Sequence, residues 1–170
     1  MSRKSIVLIG FMGVGKTTIG NELARNLQWE LIDTDTEIEE MYQMKTVDIF
    51  KVHGEEKFRK TEKELVIHAA KQEEKIISIG GGAFMQEEIR KACMEHTTVI
   101  FLDLSWEYWK NRVSILIDTR PILQDKSLDE MKELFYDRQS IYQDHHVRIN
   151  LNDLSVSEAI EAIINKLGLR

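Results

Sequence analysis

The sequence predicts an α/β domain of three layers, a parallel sheet covered by helices on both faces. Two observations carry this reading. Short apolar runs alternate with amphipathic stretches from one end of the chain to the other. Parallel strands need crossover connections, and those connections bury the sheet. A glycine-rich loop also joins the first apolar run directly to the first helical pattern. At 170 residues the chain has the size of one domain and buries enough surface to hold a core unaided.

The strands are expected at Ser5 to Ile9, Glu30 to Asp33, Lys75 to Ile79, Thr97 to Asp103 and Val147 to Leu151. Helical spacing is clearest at Thr17 to Leu27, where Ile19, Leu23, Ala24 and Leu27 share a face. It recurs at Ser155 to Leu167 through Val156, Ala159, Ile160, Ile163, Ile164 and Leu167. Two stretches depart from the alternation. Thr36 to Lys71 reads as successive helices with no strand between them, and Ser114 to Lys126 is polar and carries the single proline, Pro121. Insertions of this kind usually handle ligand.

Composition excludes several classes. A hydrophobic content of 42% with 31% charged residues fits a soluble globule rather than a disordered or fibrous chain. The net charge of −6 and the sequence pI near 5.4 argue against nucleic acid, whose binding rests on clustered Lys and Arg. The lone Cys93 has no partner for an internal disulfide. The apolar run after Met1-Ser2-Arg3-Lys4 is too short for a signal core or a membrane span. A cytoplasmic protein with no membrane partner is the expectation, with a monomer as the default.

Gly10-Phe11-Met12-Gly13-Val14-Gly15-Lys16-Thr17-Thr18 satisfies G-x-x-x-x-G-K-[ST] between a strand and a helix, the context the motif requires. Glycines let backbone N–H groups converge on a phosphate, and the helix N-terminus behind them adds partial positive charge. Gly13, Val14, Gly15, Lys16, Thr17 and Thr18 are therefore the expected nucleotide-phosphate residues. Lys16 reaches the β- and γ-phosphates, and the Thr17 hydroxyl ligates Mg2+.

The guanine-reading Asn-Lys-x-Asp of a GTPase switch is missing: Asn165-Lys166-Leu167-Gly168 lacks the Asp and falls in the last helix. The second strand instead ends in Asp33-Thr34-Asp35 at the carboxyl edge of the sheet, where open α/β folds bind ligands. If the segment stays extended, the two carboxylates face the same way. Asp33 would then hold Mg2+ through water, while Asp35 meets the hydroxyl of an acceptor. Asp103, closing the apolar run Val99-Ile100-Phe101-Leu102, is the rival acid for the metal and is read as structural.

Three further strings complete the pattern: Gly54-Glu55-Glu56-Lys57-Phe58-Arg59-Lys60-Thr61-Glu62, Gly80-Gly81-Gly82 and Arg120-Pro121-Ile122-Leu123. With the phosphate loop and Asp33-Thr34-Asp35, in this order, the chain closely resembles the shikimate kinase family from Ile6 to about Tyr142. The resemblance implies a P-loop NTPase fold like that of nucleoside-monophosphate kinases, with five strands in the order 2-3-1-4-5. It also implies an acceptor-binding helical insert about 34–62 and a mobile lid about 114–126. The implied reaction transfers the γ-phosphoryl of ATP, with Mg2+, to the 3-hydroxyl of shikimate on the route to chorismate and the aromatic amino acids.

The same resemblance assigns roles by position. Asp35 would bind ring hydroxyls and help deprotonate the attacking one, with Lys16 and Arg120 the other catalytic groups. Arg59 and Arg138 would clamp the substrate carboxylate, a pairing suited to the guanidinium fork. Gly80, Gly81 and Gly82 would offer backbone to the substrate, and Glu62 would orient Arg59 from one turn away. Phe50 and Phe58 match walls of the acceptor pocket, or are plain core. Arg120 matches the lid arginine over the phosphates. Arg112 stands where the family stacks an arginine on adenine, or is a surface residue.

Two segments depart from the family pattern: Gln143-Asp144-His145-His146 after Tyr142, and Asn150 to Ser155, which lacks the proline usual in the adenine loop. The adjacent histidines read as a surface pair. Trp29, Trp106, Trp109 and the methionines read as core or partly buried helix faces, and Cys93 as apolar filler. A gluconate or nucleoside-monophosphate kinase, and a nucleotide-binding relative without turnover, are the alternatives.

Overall fold

The computed structural model describes residues 3–112 and 126–169. Five strands form one parallel sheet: β1 (Ile6–Ile9), β2 (Glu30–Asp33), β3 (Lys75–Ser78), β4 (Thr98–Asp103) and β5 (Val147–Asn150). Their order is β2-β3-β1-β4-β5. The central strand β1 (IVLI) is buried at every position, as a strand covered on both faces must be. β2 and β5 at the edges mix buried and exposed residues.

The helices are α1 (Lys16–Leu27), α2 (Thr34–Tyr42), α3 (Thr46–His53), α4 (Glu55–Ala70), α5 (Glu87–His96), α6 (Trp106–Lys110), α7 (Leu128–Ile141) and α8 (Val156–Leu167), with a short 3-10 turn at Ala83–Met85. α1 packs on α8, and α4 packs on α5. Ser127 and Ser155 begin α7 and α8 with capping boxes, each serine accepting an N–H while a glutamate three residues on accepts the serine's own N–H.

The main core gathers the sheet and the inward faces of these helices, with Trp109, Phe101 and Tyr142 among its largest members. A separate small cluster of Ile38, Ile49 and Phe58 holds α2, α3 and α4 to one another, with Phe50 and Tyr42 against it. Cys93 is wholly buried, as expected of apolar filler. Met41 and Met85 are not core: they are 58% and 50% exposed, on short elements whose other faces already supply the buried contacts.

Of the histidine pair, His146 is exposed as expected and His145 is half-buried, and both make contacts with β4. His146 Nδ1 accepts the Val99 N–H at 2.9 Å, and the half-buried His145 ring lies 5.5 Å from Phe101. The departure Gln143-Asp144-His145-His146 thus closes the end of β4. Among the described residues, no helix is long and apolar enough to cross a membrane. The expected lid, apart from Lys126, and Arg120 within it, lie outside the described residues.

Candidate active site

Three neighbouring strands deliver the site to one edge of the sheet. Leu8 of β1 pairs with Ser78 of β3, and Ser78 also pairs with Asp33 of β2. The chain leaving β1 is the phosphate loop, the chain leaving β3 is Gly80-Gly81-Gly82, and the chain leaving β2 is Asp33-Thr34-Asp35.

The phosphate loop turns into α1 at Gly15, whose φ of 105° lies where side-chain-bearing residues are strained. Its carbonyls are drawn outward by α6 and its end: Trp109 Nε1 donates to Met12 O at 2.7 Å, and Arg112 Nη1 to Gly13 O at 3.1 Å. Lys16, buried, donates to Gly10 O (2.7 Å) and Phe11 O (2.9 Å). The Thr17 hydroxyl donates to Asp33 Oδ2 at 2.6 Å, while Asp33 Oδ1 accepts the Thr36 N–H at 3.1 Å and so caps α2. Gly13, Gly15, Lys16, Thr17 and Thr18 line one cavity with Asp33 and Asp35.

The extended geometry expected for Asp33-Thr34-Asp35 is corrected here. The strand stops at Asp33, which is an N-cap, and Thr34 already begins α2. Asp35 therefore reaches the site from the first helical turn, where a carboxylate also suits the helix dipole. Both aspartates still face the phosphate cavity. Asp103 is held by Arg148, which donates to its Oδ2 through Nε (2.8 Å) and Nη2 across the β4–β5 pair. It lines none of the cavities around the phosphate loop.

A second cavity opens beside the first, lined by Thr46, Phe50, Phe58, Arg59 and Glu62 from the helical segment and by Gly80, Gly81 and Gly82. The two cavities share Met12, Asp35, Gly80 and Gly81, so Asp35 stands at their junction. Phe50 and Phe58 meet at 5.0 Å, and the Arg59 guanidinium lies 5.9 Å and 5.5 Å from their rings, within cation–π range. They serve as wall and core at once, since Phe58 belongs to the small cluster and Phe50 packs on it.

Glu62 is fully buried and accepts from Arg59 Nη1 at 2.8 Å and from Gln86 Nε2 at 3.1 Å. Burial pushes its carboxyl above the ordinary value, with Arg59 pulling the other way. Among the described residues its Oε2 has no hydrogen-bond partner. Gln86 also donates to Arg59 O at 3.2 Å, so the arginine is held at both ends.

The triple glycine is demanded by its neighbours. A Cβ on Gly80 would lie 2.9 Å from Asp35 Oδ1, one on Gly81 2.8 Å from Met12 N, and one on Gly82 2.7 Å from Arg59 Nη2. Real Cβ atoms do not approach so closely, so the absent side chains make room for an acid, the phosphate loop and an arginine.

Arg138 does not line this second cavity. It is buried, donates to Gly81 O at 3.0 Å, and among the described residues its Nε has no partner. Arg112 lines a third cavity with Val14, Gly15, Thr18, Leu151, Leu154 and Ser155, beside the loop lacking the expected proline. Sequence reasoning did not name Trp109, Gln86, Thr46 or Met12 as site residues: Trp109 and Gln86 act on partners 97 and 27 residues away, Thr46 is tied locally to Glu39, and Met12 occupies a variable position of the phosphate-loop motif. Tyr142 entered the sequence reading only as the end of the family resemblance, yet its hydroxyl donates to Gly81 O.

A phosphate loop on a parallel sheet, opening into a second cavity with a carboxylate at the junction, defines a P-loop phosphotransferase acting on a small molecule. The sequence pattern of shikimate kinase matches residues 12–168. The chain belongs to the shikimate kinase family. It is 49% identical over 168 residues to a shikimate kinase of Bacillus pumilus, covering 98% of this chain and 91% of that one. It is 45% identical over 169 residues to one of Oceanobacillus iheyensis, covering 99% and 92%. Among solved structures, a shikimate kinase from Acinetobacter baumannii in complex with shikimate superposes with a TM-score of 0.89 at 26% identity, over 99% of this chain and 95% of that one. One from Bacteroides thetaiotaomicron gives 0.86 at 28% identity, over 97% and 98%.

Proposed function

We propose that this protein is a shikimate kinase: it transfers the γ-phosphoryl group of ATP to the 3-hydroxyl of shikimate, giving ADP and shikimate 3-phosphate. The observation that carries the reading is the meeting of two cavities at Asp35, Gly80, Gly81 and Met12, one walled by the phosphate loop and the other holding Arg59.

In this reading the acceptor carboxylate pairs with Arg59 and with the Nε of Arg138, a buried donor that has no partner among the described residues and whose Nη1 holds the Gly81 wall of the second cavity. Asp35 orients the attacking hydroxyl and takes its proton as the oxygen bonds to phosphorus. ADP leaves in line on the opposite side. Lys16 exchanges its carbonyl partners for phosphate oxygens, and Gly13, Val14, Gly15 and Thr18 cradle the phosphates. Arg112 borders the base, Arg120 belongs to the lid at about 114–126, and residues about 34–62 form the acceptor insert.

No cluster of three or more His, Cys, Asp or Glu side chains that could hold a metal occurs among the described residues. That suits Mg2+, which is held mostly by phosphate oxygens and water with one or two protein ligands. The hard oxygens of Thr17 and Asp33, already joined at 2.6 Å, fit it, Thr17 directly and Asp33 through water. Bound with the nucleotide, Mg2+ neutralises charge on the phosphates.

Arg59→Ala tests the acceptor assignment. Losing two charge-assisted bonds worth about 1.5 to 3 kcal/mol each predicts a shikimate KM raised by about 100-fold or more, with ATP binding unchanged. Equal loss of both substrates would contradict it.

A further inference from the structure

Three consecutive glycines are a poor wall for a binding site, because glycine loses more conformational freedom on ordering than any other residue and its peptides flip readily. Something must hold them. Gly80 O accepts the Ala83 N–H at 3.1 Å and Gly82 O the Met85 N–H at 3.2 Å, both within the local turn. Gly81 O is held by side chains from elsewhere: Arg138 Nη1 at 3.0 Å and the Tyr142 hydroxyl. Both come from α7 and its C-cap, 57 and 61 residues further along the chain. All three carbonyls are thus engaged. Neither Gly81 N–H nor Gly82 N–H donates a hydrogen bond among the described residues. Acceptors used and donors spare is the pattern of a wall that receives oxygen-rich ligands.

We propose that Tyr142 is a positioning residue of the acceptor site, its hydroxyl fixing the Gly81 carbonyl and thereby aiming the Gly82 N–H at bound substrate. The geometry follows from the peptide itself. No cis bonds occur among the described residues, so the Gly82 N–H points opposite to the Gly81 C=O. A carbonyl has two lone pairs, and two donors occupy both, leaving the peptide no second orientation of equal energy. Tyr142 is well placed to act as an anchor. It is 1% exposed and stacks on Phe101 of β4 at 5.4 Å, so the grip on Gly81 is referred to the centre of the sheet. Burial pushes its phenol up to about 12, which keeps the hydroxyl a donor throughout the working range. On its other side Gly81 abuts the Met12 backbone, so the peptide is wedged between the phosphate loop and α7. Sharing the carbonyl also fixes Arg138 through Nη1 and leaves its Nε for the ligand.

The inference rests on the proposed acceptor site, and its test separates the two. Tyr142→Phe removes one oxygen and keeps the ring stack. Initial rates with varied shikimate and with varied MgATP are compared with the parent enzyme, alongside calorimetric shikimate binding without nucleotide, which does not depend on the fraction of folded molecules. Loss of one neutral bond of about 1 kcal/mol predicts a shikimate KM and Kd raised about three- to tenfold, with the ATP KM within twofold. A variant that only melts earlier or has lower kcat, with unchanged shikimate KM and Kd, would overturn the proposal, as would equal rises in both KM values. A parent enzyme that neither binds nor turns over shikimate would overturn the functional reading itself, and this inference with it.

Discussion

Glu62 shows how one residue carries opposing demands. Its carboxylate holds Arg59 in place, yet it is fully buried, with one oxygen unpartnered among the described residues and its carboxyl pushed above 4.5. Between 4.5 and that raised value the folded state keeps a proton the unfolded state has lost. Stability from this group therefore falls as pH rises through the window. Glu62→Gln removes the titration, so urea unfolding from pH 4.5 upward should show the variant gaining on the parent as pH rises. A constant difference would contradict this. The same substitution weakens the charge-assisted bond to Arg59, and the shikimate KM should rise. Asp35 makes the sharper kinetic demand. If it accepts the proton, Asp35→Asn should lower kcat about 10²- to 10⁴-fold with little change in ATP binding. Near-full activity would remove it from the mechanism. The i, i+3 partnership of Arg59 and Glu62 was legible in sequence, because helical spacing alone brings them together. Gln86 was not, since its bonds to Arg59 and Glu62 cross from another element.

The element that decides the site is the turn after β3. Glycines in a row announce close approach in any sequence, but what approaches is set by the tertiary fold. Gly81→Ala would press on the Met12 backbone, which cannot yield without moving the phosphate loop. Overpacking of this kind costs about 1 to 3 kcal/mol, so lower stability and weaker binding of both substrates are expected. Gly82→Ala meets only the end of the Arg59 side chain. It should fold normally and weaken shikimate alone. Identical behaviour of the two variants in thermal melts and substrate titrations would contradict the packing account. The junction of β2 and α2 gives a second lesson at this scale. Asp33 and Asp35 were read as neighbours on extended chain, yet Asp33 caps a helix that begins at Thr34. An aspartate followed by helix-compatible residues is an N-cap signal, and it outweighs the continuation of a strand already ended.

At the scale of the molecule, all five strands were readable because buried parallel strands are short apolar runs, and α1 and α8 because their apolar spacing is regular. The phosphate loop was readable because its chemistry is local. What sequence left out is what crosses the chain. Trp109 holds Met12 O, Tyr142 and Arg138 hold Gly81 O, and Arg148 occupies Asp103, each a contact between elements far apart in sequence. The contacts on Met12 and Gly81 brace residues shared by the two cavities that meet at Asp35. The claim that this meeting point transfers phosphate to shikimate is tested most directly by ADP release from MgATP, with shikimate, quinate, gluconate or CMP as acceptor. The account predicts release that depends on shikimate and on none of the other three. Release with another acceptor, or intact ATP binding with no release at all, would contradict it.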